Sequence, residues 1–252
     1  MKVALVAGGS SGIGEATAKE LAKRGWQVAI MFSKNRAAAD RVAGDINGLG
    51  LQGDVAQDAD CRRVAKAVLD KWGRIDALVN NAGTTKVAFN HADLSALSAA
   101  DFQHVYGVNV VGAFQMIRAV EPAMRKQGGG AVVNVSSIAA VMGIGTSVAY
   151  AASKGALNTM TLSLARALGP QIRINAVCPG FVETRWLQEA LGPAYEGAKA
   201  RYMSNAALQK VCTPDDIARA VLWLLEGSEL VTGEFILVDG GAHLGGSPTK
   251  AR

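Results

Sequence analysis

The chain alternates between short apolar runs and longer segments in which apolar residues recur every three or four positions. The short runs are typical of buried parallel strands, and the periodic segments are typical of helices that pack one face against a sheet. Strands are predicted at residues 3–7, 26–32, 51–55, 75–83, 131–137, 172–180 and 234–241. Helices are predicted at about residues 14–25, 36–43, 58–73, 101–126, 150–169 and 213–225. This alternation predicts an α/β fold: a doubly wound parallel sheet of about seven strands with helices on both faces.

Two segments interrupt the alternation without dividing the chain. Residues 84–100 form a looser connection, and residues 181–211 form a less regular segment that we expect to cover the ligand site as a lid. The 252 residues are half hydrophobic, which suits one large domain better than two small ones. We therefore predict a single dinucleotide-binding and catalytic domain over residues 1–245 and a frayed tail at residues 246–252.

Two glycine-rich stretches share the same spacing, and their surroundings distinguish them. AGGSSGIG, residues 7–14, follows the first predicted strand and leads into a helix, whereas GDINGLG, residues 44–50, follows a helix and precedes a strand. In the first order, glycines let a pyrophosphate approach the backbone, and the N–H groups at the helix N-terminus point at the anion. We therefore predict a phosphate site at Gly8, Gly12 and Gly14, and a helix C-cap with a turn at the second stretch.

Charge and cysteine usage argue against several other classes of function. The formal net charge is +5, but Lys and Arg are scattered without a basic stripe, so we expect no nucleic acid partner. Cys61, Cys178 and Cys212 stand apart and the histidines are dispersed, which indicates neither disulfides nor a metal site. No apolar stretch has the length of a membrane span, and the N-terminal run is interpreted as a first strand rather than a signal peptide. We therefore expect a cytoplasmic protein without a membrane partner.

Two Tyr-x-x-x-Lys motifs occur, YAASK at residues 150–154 and YEGAK at residues 195–199. Residues four apart share a helix face, and an ammonium beside a phenol lowers the pKa of the phenol, which makes it a usable acid or base near neutral pH. Thirteen residues before the first Tyr stands Ser137, at the end of a predicted strand, where its hydroxyl can donate to a substrate carbonyl. Val182 stands thirteen residues before the second Tyr and cannot do this. We therefore assign chemistry to the first motif and interpret Tyr195 as a surface or lid residue.

Six motifs in this order resemble the short-chain dehydrogenase/reductase family, whose fold is Rossmann-like. They are AGGSSGIG, NNAG at residues 80–83, Asn109 in VNVVG, Ser137, YAASK and PGFVET at residues 179–184. VDGG at residues 238–241 also fits the last strand of this family. Ala7 departs from the pattern, because the family often has Thr before the first glycine, and a side-chain hydrogen bond near the NNAG turn is lost. Within the family, the chain resembles the 3-oxoacyl-carrier-protein reductases and carbonyl reductases.

The resemblance implies a catalytic set of four side chains: Asn109, Ser137, Tyr150 and Lys154. Tyr150 would pass a proton to or from the substrate oxygen, and Ser137 would orient the carbonyl. Lys154 would lower the pKa of Tyr150 and hold the nicotinamide ribose. Asn109 would fix a water that links Lys154 to solvent, and an ordinary helix-packing amide is the alternative for it.

The resemblance also implies cofactor contacts at the carboxyl ends of the strands. Asp54 would bind the adenine amine, with a role as helix N-cap as the alternative, and Val182 and Thr184 would meet the nicotinamide carboxamide. Ile13 would help to fix the glycine turn. The full predicted set is Gly8, Ser10, Ser11, Gly12, Ile13, Gly14, Phe32, Ser33, Lys34, Arg36, Asp54, Val55, Asn81, Ala82, Gly83, Tyr150, Lys154, Pro179, Gly180, Val182 and Thr184.

The end of the second predicted strand favours NADP(H), with NAD(H) as the alternative. NAD-binding sheets usually place an acid there for the ribose 2′-hydroxyl, but here the position is Phe32, and no Asp or Glu occurs at residues 21–39. SKNR, residues 33–36, offers a hydroxyl and two cations to a 2′-phosphate, although Lys34 and Arg36 could be ordinary solvated charges. Ser11 stands where NADP-dependent members often carry a basic residue. Stacking of Phe32 on ribose or adenine would allow both cofactors.

The leading functional hypothesis is an NADP(H)-dependent enzyme that interconverts a small-molecule carbonyl, a ketone or an aldehyde, and an alcohol. Apolar residues in the lid, with Met142 and Ile144, predict an apolar pocket, and packing within the lid or against a subunit is the alternative. For a 3-oxoacyl-carrier-protein substrate we expect basic residues near the pocket mouth. Gly128 and Gln171 stand at two places where Arg would be expected for such a substrate, which argues against it. The hypothesis of a carrier-protein substrate nevertheless stays open because of Arg125, Lys126 and Arg173.

Two further hypotheses remain open. One is an NAD-dependent polyol, sugar or steroid alcohol dehydrogenase. The other is a non-catalytic, dinucleotide-sensing binding protein, against which the complete set of four catalytic side chains argues. The family resemblance also implies a homo-oligomer, usually a tetramer, in which the helices from Asp101 and from Tyr150 pack against a second subunit.

Overall fold

The computed structural model describes residues 1–227 and 229–245. Seven strands of this part of the chain form one parallel sheet: β1 Val3–Ala7, β2 Gln27–Phe32, β3 Leu49–Gln52, β4 Ala77–Asn80, β5 Gly130–Val135, β6 Ile172–Pro179 and β7 Phe235–Val238. Their spatial order is β3-β2-β1-β4-β5-β6-β7. The predicted doubly wound α/β fold is confirmed. The tail predicted at residues 246–252 lies outside the described residues.

Helices cover both faces of the sheet. They are α1 Gly12–Lys23, α2 Arg36–Asp45, α3 Asp58–Trp72, α4 Ala99–Tyr106, α5 Ala113–Lys126, α6 Ala139–Met142, α7 Val148–Leu168, α8 Arg185–Leu191, α9 Tyr195–Asn205 and α10 Pro214–Glu226. Side chains of α1, α2 and α10 share one buried cluster with the strands, and those of α3, α5 and α7 share a second. The strands are apolar on both faces because each face is covered in this way.

The second glycine-rich stretch forms a turn between helix and strand as predicted, but the predicted glycine cap is wrong. Gly44 lies inside α2, which ends at Asp45 with Ile46 as its C-cap. The residue with a left-handed backbone is Asn47, whose φ is 48°. Asn tolerates this conformation better than most side chains do, so it replaces the expected glycine.

The helix predicted at residues 101–126 begins earlier and is not uniform. α4 begins at Ala99 because Ser98 and Asp101 form a capping box, and Gly107–Gly112 forms a π-helical turn between α4 and α5. π-helical turns are rare in proteins, but those that occur are often found at functional sites. This one contains Asn109.

The lid predicted as irregular at residues 181–211 contains two helices, α8 and α9, joined by a 3₁₀ turn at Gly192–Ala194. Tyr195 begins α9 and is only 8% exposed, so of its two interpretations the surface residue is wrong, and it lies within the segment predicted as the lid. Its ring packs against Phe181, with ring centroids 5.5 Å apart. No helix among the described residues is both long and apolar enough to cross a membrane.

Candidate active site

The predicted site residues gather at the carboxyl edge of the sheet. The order of the strands reverses between β1 and β4, and in doubly wound sheets ligands bind in the crevice at such a point. The glycine turn after β1, the NNAG turn after β4, Ser137 after β5 and the 179–184 segment after β6 all open onto this edge.

The glycine turn is held against the NNAG turn by close backbone packing. Gly8 has a φ of +75°, and a Cβ on it would lie 2.8 Å from the backbone of Ala82. A Cβ on Gly14 would overlap the carbonyl oxygen of Gly8 and lie 2.6 Å from Asn81 Nδ2. That Nδ2 donates to the Gly8 carbonyl at 2.7 Å, so the amide joins the two turns although Ala7 lacks the hydroxyl of the family pattern.

The N-terminus of α1 follows this turn directly. Ser11 is its N-cap and makes no side-chain capping bond, and Ser10 and Ile13 are partly buried on either side. Gly12 has a φ of +55°, and a Cβ on it would lie 3.4 Å from Thr184 Cγ2. The 179–184 segment therefore faces the helix N-terminus, where backbone N–H groups are available to an anion. These features fit the pyrophosphate of a dinucleotide.

A cleft of about 540 Å³ lies beyond the ends of β2 and β3. Its lining includes Ser33, Arg36, Asp54 and Arg63. Asp54 lies outside the strand predicted to contain it, and its carboxylate accepts from the backbone N–H of Ala56 at 2.9 Å. It is not the N-cap of α3, so the alternative proposed for it is wrong.

Two other residues predicted in this region are buried. Phe32 is 2% exposed and belongs to the apolar cluster under α1 and α10, so its ring offers almost no surface for stacking on a nucleotide. Val55 is 7% exposed, and its carbonyl accepts from Gln115 at 2.7 Å. The groups that reach the cleft at the end of β2 are therefore Ser33 and Arg36.

Tyr150 and Lys154 share one face of α7. Ser147 fixes the start of this helix, because its hydroxyl accepts from the backbone N–H of Tyr150 at 3.1 Å. The Nζ of Lys154 lies 5.7 Å from the centroid of the Tyr150 ring and donates to the carbonyl of Val135 at 2.7 Å. Ser137, two residues after the end of β5, has its side chain close enough to Tyr150 to lower the pKa of the phenol. Tyr150, Lys154 and Ser137 are therefore brought together as predicted.

The protonation of this pair differs from the expectation that Lys154 lowers the pKa of Tyr150. Burial raises the pKa of Tyr150, and the nearby side chain of Ser137 opposes this only in part. Burial lowers the pKa of Lys154 to about 8. The Lys154 ammonium is directed at the Val135 carbonyl, so desolvation outweighs any effect of its charge on the phenol.

Replacing Lys154 with Met is expected to stabilise the fold by about 2 kcal/mol at pH 7. One pKa unit corresponds to about 1.4 kcal/mol, so a pKa lowered from 10.5 to about 8 represents about 3 kcal/mol, less about 1 kcal/mol for the lost bond to Val135. The unfolded chain holds this proton up to about pH 10.5, whereas the folded chain releases it near pH 8. The stabilisation of Lys154→Met relative to the wild type is therefore complete below pH 8 and disappears as the pH rises towards 10.5.

Urea unfolding at pH 7 and at pH 9.5 measures this difference. Lys66→Met is the matched control, because Lys66 is exposed on α3 and pairs with Asp70 at 2.6 Å. We expect a change within about 0.5 kcal/mol for the control at both pH values. A Lys154→Met protein less stable than the wild type at pH 7 would contradict the unfavourable burial of the ammonium.

Asn109 is 1% exposed in the π-helical turn and joins three parts of the site. Its Oδ1 accepts from the backbone N–H of Thr84 at 2.8 Å, and its Nδ2 donates to the Thr84 carbonyl at 3.0 Å and to Ser153 Oγ at 2.9 Å. Ser153 in turn donates to the Tyr150 carbonyl at 2.7 Å. Asn109 therefore ties the segment after NNAG to α7.

The segment after β6 positions the residues that were predicted to meet the nicotinamide. Pro179 ends β6, and the Gly180 N–H donates to the Val238 carbonyl at 2.9 Å. Val182 is paired with Cys212, and the hydroxyl of Thr184 caps α8. On the other side, a Cβ on Gly83 would lie 3.8 Å from Lys154 Nζ, so the NNAG turn borders the pair formed by Tyr150 and Lys154.

The apolar lid residues have different roles from the predicted pocket lining. Trp186 of α8 is 44% exposed, and its ring centroid lies 6.3 Å from that of Tyr150. Phe181 instead packs against Tyr202, with centroids 5.6 Å apart, and the Tyr202 hydroxyl donates to the Asp239 carbonyl at 2.8 Å. Phe181 and Tyr202 thus anchor the segment predicted to be a lid, whereas the Trp186 ring lies beside Tyr150. Ile144 is 47% exposed.

The basic residues considered for an acyl carrier do not lie at the pocket mouth. Gln171 and Arg173 lie where β6 begins, at the edge of the sheet opposite to Ser137. Arg173 donates to three backbone carbonyls, those of Leu224, Leu225 and Val231, at 2.9–3.2 Å. Arg125 is engaged with Glu121 and Gln171. Arg125 and Arg173 therefore serve packing within the subunit, and the expectation that they meet a carrier at the pocket mouth is wrong.

Sequence reasoning missed several residues that build the site. Ser147 stands three residues before Tyr150, and this N-cap spacing could have located the start of α7. Ser153 sits inside YAASK, but its bond to Asn109 joins residues 44 positions apart and has no local pattern. Arg63 and Gln52 enter the cleft only because β2 and β3 are neighbours. The described residues hold no group of three or more His, Cys, Asp or Glu arranged for a metal ion.

Comparisons with known proteins agree with this geometry. A family model described as enoyl-(acyl-carrier-protein) reductase matches residues 7–243. A protein described as a ketoacyl reductase of the granaticin polyketide synthase of Streptomyces violaceoruber is 40% identical over 245 residues, 96% of each chain. The 3-oxoacyl-[acyl-carrier-protein] reductase of Thermotoga maritima is 36% identical over 247 residues, 95% of this chain and 97% of that one.

A solved structure adds to these matches. A crystal structure described as a short-chain dehydrogenase/reductase from Burkholderia xenovorans superposes with a TM-score of 0.90 at 40% identity, over 97% of this chain and 99% of that one. The chain therefore belongs to the short-chain dehydrogenase/reductase family and is an oxidoreductase. Membership implies a nicotinamide dinucleotide cofactor and a small-molecule substrate.

Proposed function

We propose that this enzyme interconverts a carbonyl compound and an alcohol with NADP(H), using Tyr150 as general acid and base. The observation that carries the proposal is the convergence of Tyr150, Ser137 and Lys154 beside the glycine turn at the carboxyl edge of the sheet. Asn109, the fourth residue of the proposed catalytic set, is linked to α7 by its hydrogen bond to Ser153.

The chain's own residues would hold the substrate and move the proton. A bound nicotinamide dinucleotide supplies or accepts the hydride. In reduction, the Ser137 hydroxyl donates to the carbonyl oxygen and holds it beside the Tyr150 hydroxyl, which then donates its proton to that oxygen. The raised pKa of Tyr150 keeps the phenol protonated at neutral pH, which suits this direction. The Lys154 ammonium stabilises the phenolate that remains.

A 3-oxoacyl compound is the substrate class that the similar proteins favour, because two of them are described as ketoacyl and 3-oxoacyl reductases. The half-exposed Trp186 beside Tyr150 would provide an apolar wall for such a chain. A panel of 3-oxoacyl thioesters, simple ketones and aldehydes, with NADPH consumption as the readout, tests this assignment.

The choice of NADP(H) over NAD(H) rests on the end of β2. Ser33 and Arg36 line the cleft there, and Lys34 lies exposed between them. Phosphate is bound well by hydroxyl and cationic groups, whereas an NAD-type ribose contact needs an acid at the position that Phe32 occupies. An NAD-dependent polyol, sugar or steroid dehydrogenase is therefore the weaker candidate.

Lys34→Ala/Arg36→Ala is expected to weaken NADPH binding by about ten- to a hundredfold and to leave NADH binding within about twofold, because charge-assisted phosphate contacts are lost. Fluorescence titration of both cofactors measures this. Arg62→Ala/Lys66→Ala is the matched control, since it removes two cations from α3 that pair with Asp58 and Asp70 outside the cleft. Wild-type binding of NADH as tight as that of NADPH would contradict the NADP(H) assignment.

The proposal includes a cytoplasmic homo-oligomer, a tetramer by family expectation, of single-domain subunits spanning residues 1–245. Apolar side chains are exposed on the adjoining α4, π-helical turn and α7: Phe102 41%, Tyr106 46%, Val111 42% and Leu162 43%. Exposed apolar patches of this kind mark contact surfaces, and these helices are the ones expected to meet a second subunit.

A further inference from the structure

The Gln52 side chain joins the ends of β2 and β3 inside the cleft. Its Oε1 accepts from Arg36 Nη2 at 3.1 Å, and its Nε2 donates to the Ser33 carbonyl at 3.1 Å. The chemistry of the two partners fixes the orientation of the amide, because a guanidinium only donates and a carbonyl only accepts. Of the common side chains with this length, only an uncharged amide satisfies both partners at once.

Arg36 depends on this contact for a defined position. It is the first residue of α2, its side chain is 63% exposed, and the carboxylate of Asp40 lies 3.9 Å away, beyond hydrogen-bonding distance. The guanidinium carbon lies 5.5 Å from the centroid of the Phe32 ring. The contacts with this ring and with Gln52 restrict the rotamers of the side chain before a ligand arrives, which reduces the entropy cost of binding.

The backbone of Gln52 is fixed from the other side of the cleft. Arg63 Nη2 donates to the Gln52 carbonyl at 2.7 Å and to Asp60 Oδ1 at 2.7 Å. The cleft of about 540 Å³ is lined by Gln52, Arg63 and Asp60 together with Arg36 and Ser33. Gln52 is thus anchored at its main chain while its amide reaches across to β2.

We propose that Gln52 is a positioning residue for cofactor selection: it holds Arg36 so that the remaining guanidinium N–H groups meet the 2′-phosphate of NADP(H). This inference rests on the proposed NADP(H) function. It adds Gln52, the last residue of β3, a strand in which no phosphate contact was predicted. Gln52 uses one of the five guanidinium N–H donors, which leaves the others for phosphate oxygens.

Gln52→Leu and Gln52→Glu test the proposal, with Gln57→Leu as the matched control. Gln57 is an exposed glutamine in the next loop, and its side chain makes no capping bond to α3. The probes are NADPH and NADH by fluorescence titration, and adenosine 2′,5′-bisphosphate and adenosine 5′-monophosphate by calorimetry. The last two differ only in the 2′-phosphate, so they report on the subsite without any turnover.

For Gln52→Leu we expect binding of NADPH and of the bisphosphate to weaken by about three- to tenfold, with NADH and the monophosphate unchanged within about twofold. Gln52→Glu is expected to weaken both phosphorylated ligands further, because its carboxylate repels the phosphate and cannot donate to Ser33. Gln57→Leu is expected to leave the binding of all four ligands unchanged. Circular dichroism of each variant confirms folding.

Two results would overturn the proposal. Equal weakening of NADPH and NADH by Gln52→Leu would assign the residue a structural role at the end of β3, and unchanged binding of all four ligands would show that Arg36 needs no support. If Lys34→Ala/Arg36→Ala abolishes the NADPH preference in either case, the proposed function stands and only the role of Gln52 fails. If that double variant keeps the NADPH preference, Lys34 and Arg36 do not bind the 2′-phosphate and the role of Gln52 fails with theirs, whereas the NADP(H) assignment itself fails only if the wild type binds NADH as tightly as NADPH.

Discussion

Tyr150→Phe is expected to lower the rate of carbonyl reduction by about a thousandfold while NADPH binding stays within a few-fold of wild type. The ring, its packing against Trp186 and the fold of α7 are retained, and only the hydroxyl that donates the proton is removed. Positioned acid catalysis contributes about 10²- to 10⁴-fold, and in the proposed mechanism Ser137 orients the carbonyl oxygen whereas Tyr150 supplies the proton. Steady-state kinetics with NADPH and a reducible ketone, together with a cofactor titration, separates the chemical step from binding.

Tyr195→Phe is the matched control for this change. It removes the same hydroxyl from the other Tyr-x-x-x-Lys motif of the chain, whose Lys199 pairs with Glu183 in the lid. Because Tyr195 packs against Phe181 away from the catalytic face of α7, we expect its rate to remain within a few-fold of wild type. Turnover by Tyr150→Phe at the wild-type rate would rule out Tyr150 as the acid.

Gly14→Ala is expected to destabilise the protein by about 3 kcal/mol and to abolish measurable NADPH binding. The added methyl group would overlap the Gly8 carbonyl oxygen and lie 2.6 Å from Asn81 Nδ2. Relief requires the glycine turn to separate from the NNAG turn, which breaks the 2.7 Å bond between Asn81 and Gly8. Urea unfolding measures the first effect and fluorescence titration the second.

Gly44→Ala supplies the comparison, because it makes the same change in the other glycine-rich stretch. Gly44 lies inside α2, and a Cβ there would meet no atom within 4 Å. Since Gly costs about 0.5–1 kcal/mol relative to Ala within a helix, this variant is expected to be more stable than wild type and to bind NADPH normally. Equal urea midpoints for Gly14→Ala and Gly44→Ala would show that the first turn is not tightly packed.

The elements that were predicted correctly are those that a short stretch of the sequence determines by itself. Short apolar runs bounded by turns identify β1, β4 and β6, and strand–glycine–helix order separates AGGSSGIG from GDINGLG. The π-helical turn was not predicted because GVNVVG keeps nearly the same apolar spacing as an ordinary helix. Likewise α8 and α9 lie in a segment with Gly, Pro and many polar residues, and their packing comes from Phe181 and Tyr202 rather than from an amphipathic pattern.

The side chains that were misassigned are those whose environment comes from distant parts of the chain. Arg173 looked available to an acidic partner, but its partners on and after α10 lie more than 50 positions away in the sequence. Phe32 ends β2 as expected, yet the alternation of side chains along that strand turns its ring into the core beneath α1. In the same way, the pKa of Tyr150 follows from burial, which the motif YAASK does not encode.

The hydrogen bond from the Tyr202 hydroxyl to the Asp239 carbonyl makes the two helices of the predicted lid differ in how they are anchored. It anchors α9 to the end of β7, whereas α8 begins after Thr184 and ends at Gly192, whose φ of +50° marks a sharp change of chain direction. The Arg185–Glu189 salt bridge of α8 is internal to that helix, and Trp186 is half exposed at its start. The α9 part of the segment is therefore fixed to the sheet, whereas α8 carries Trp186 beside Tyr150. We expect changes of substrate range in relatives to arise from substitutions in α8, while α9 and its anchor stay the same.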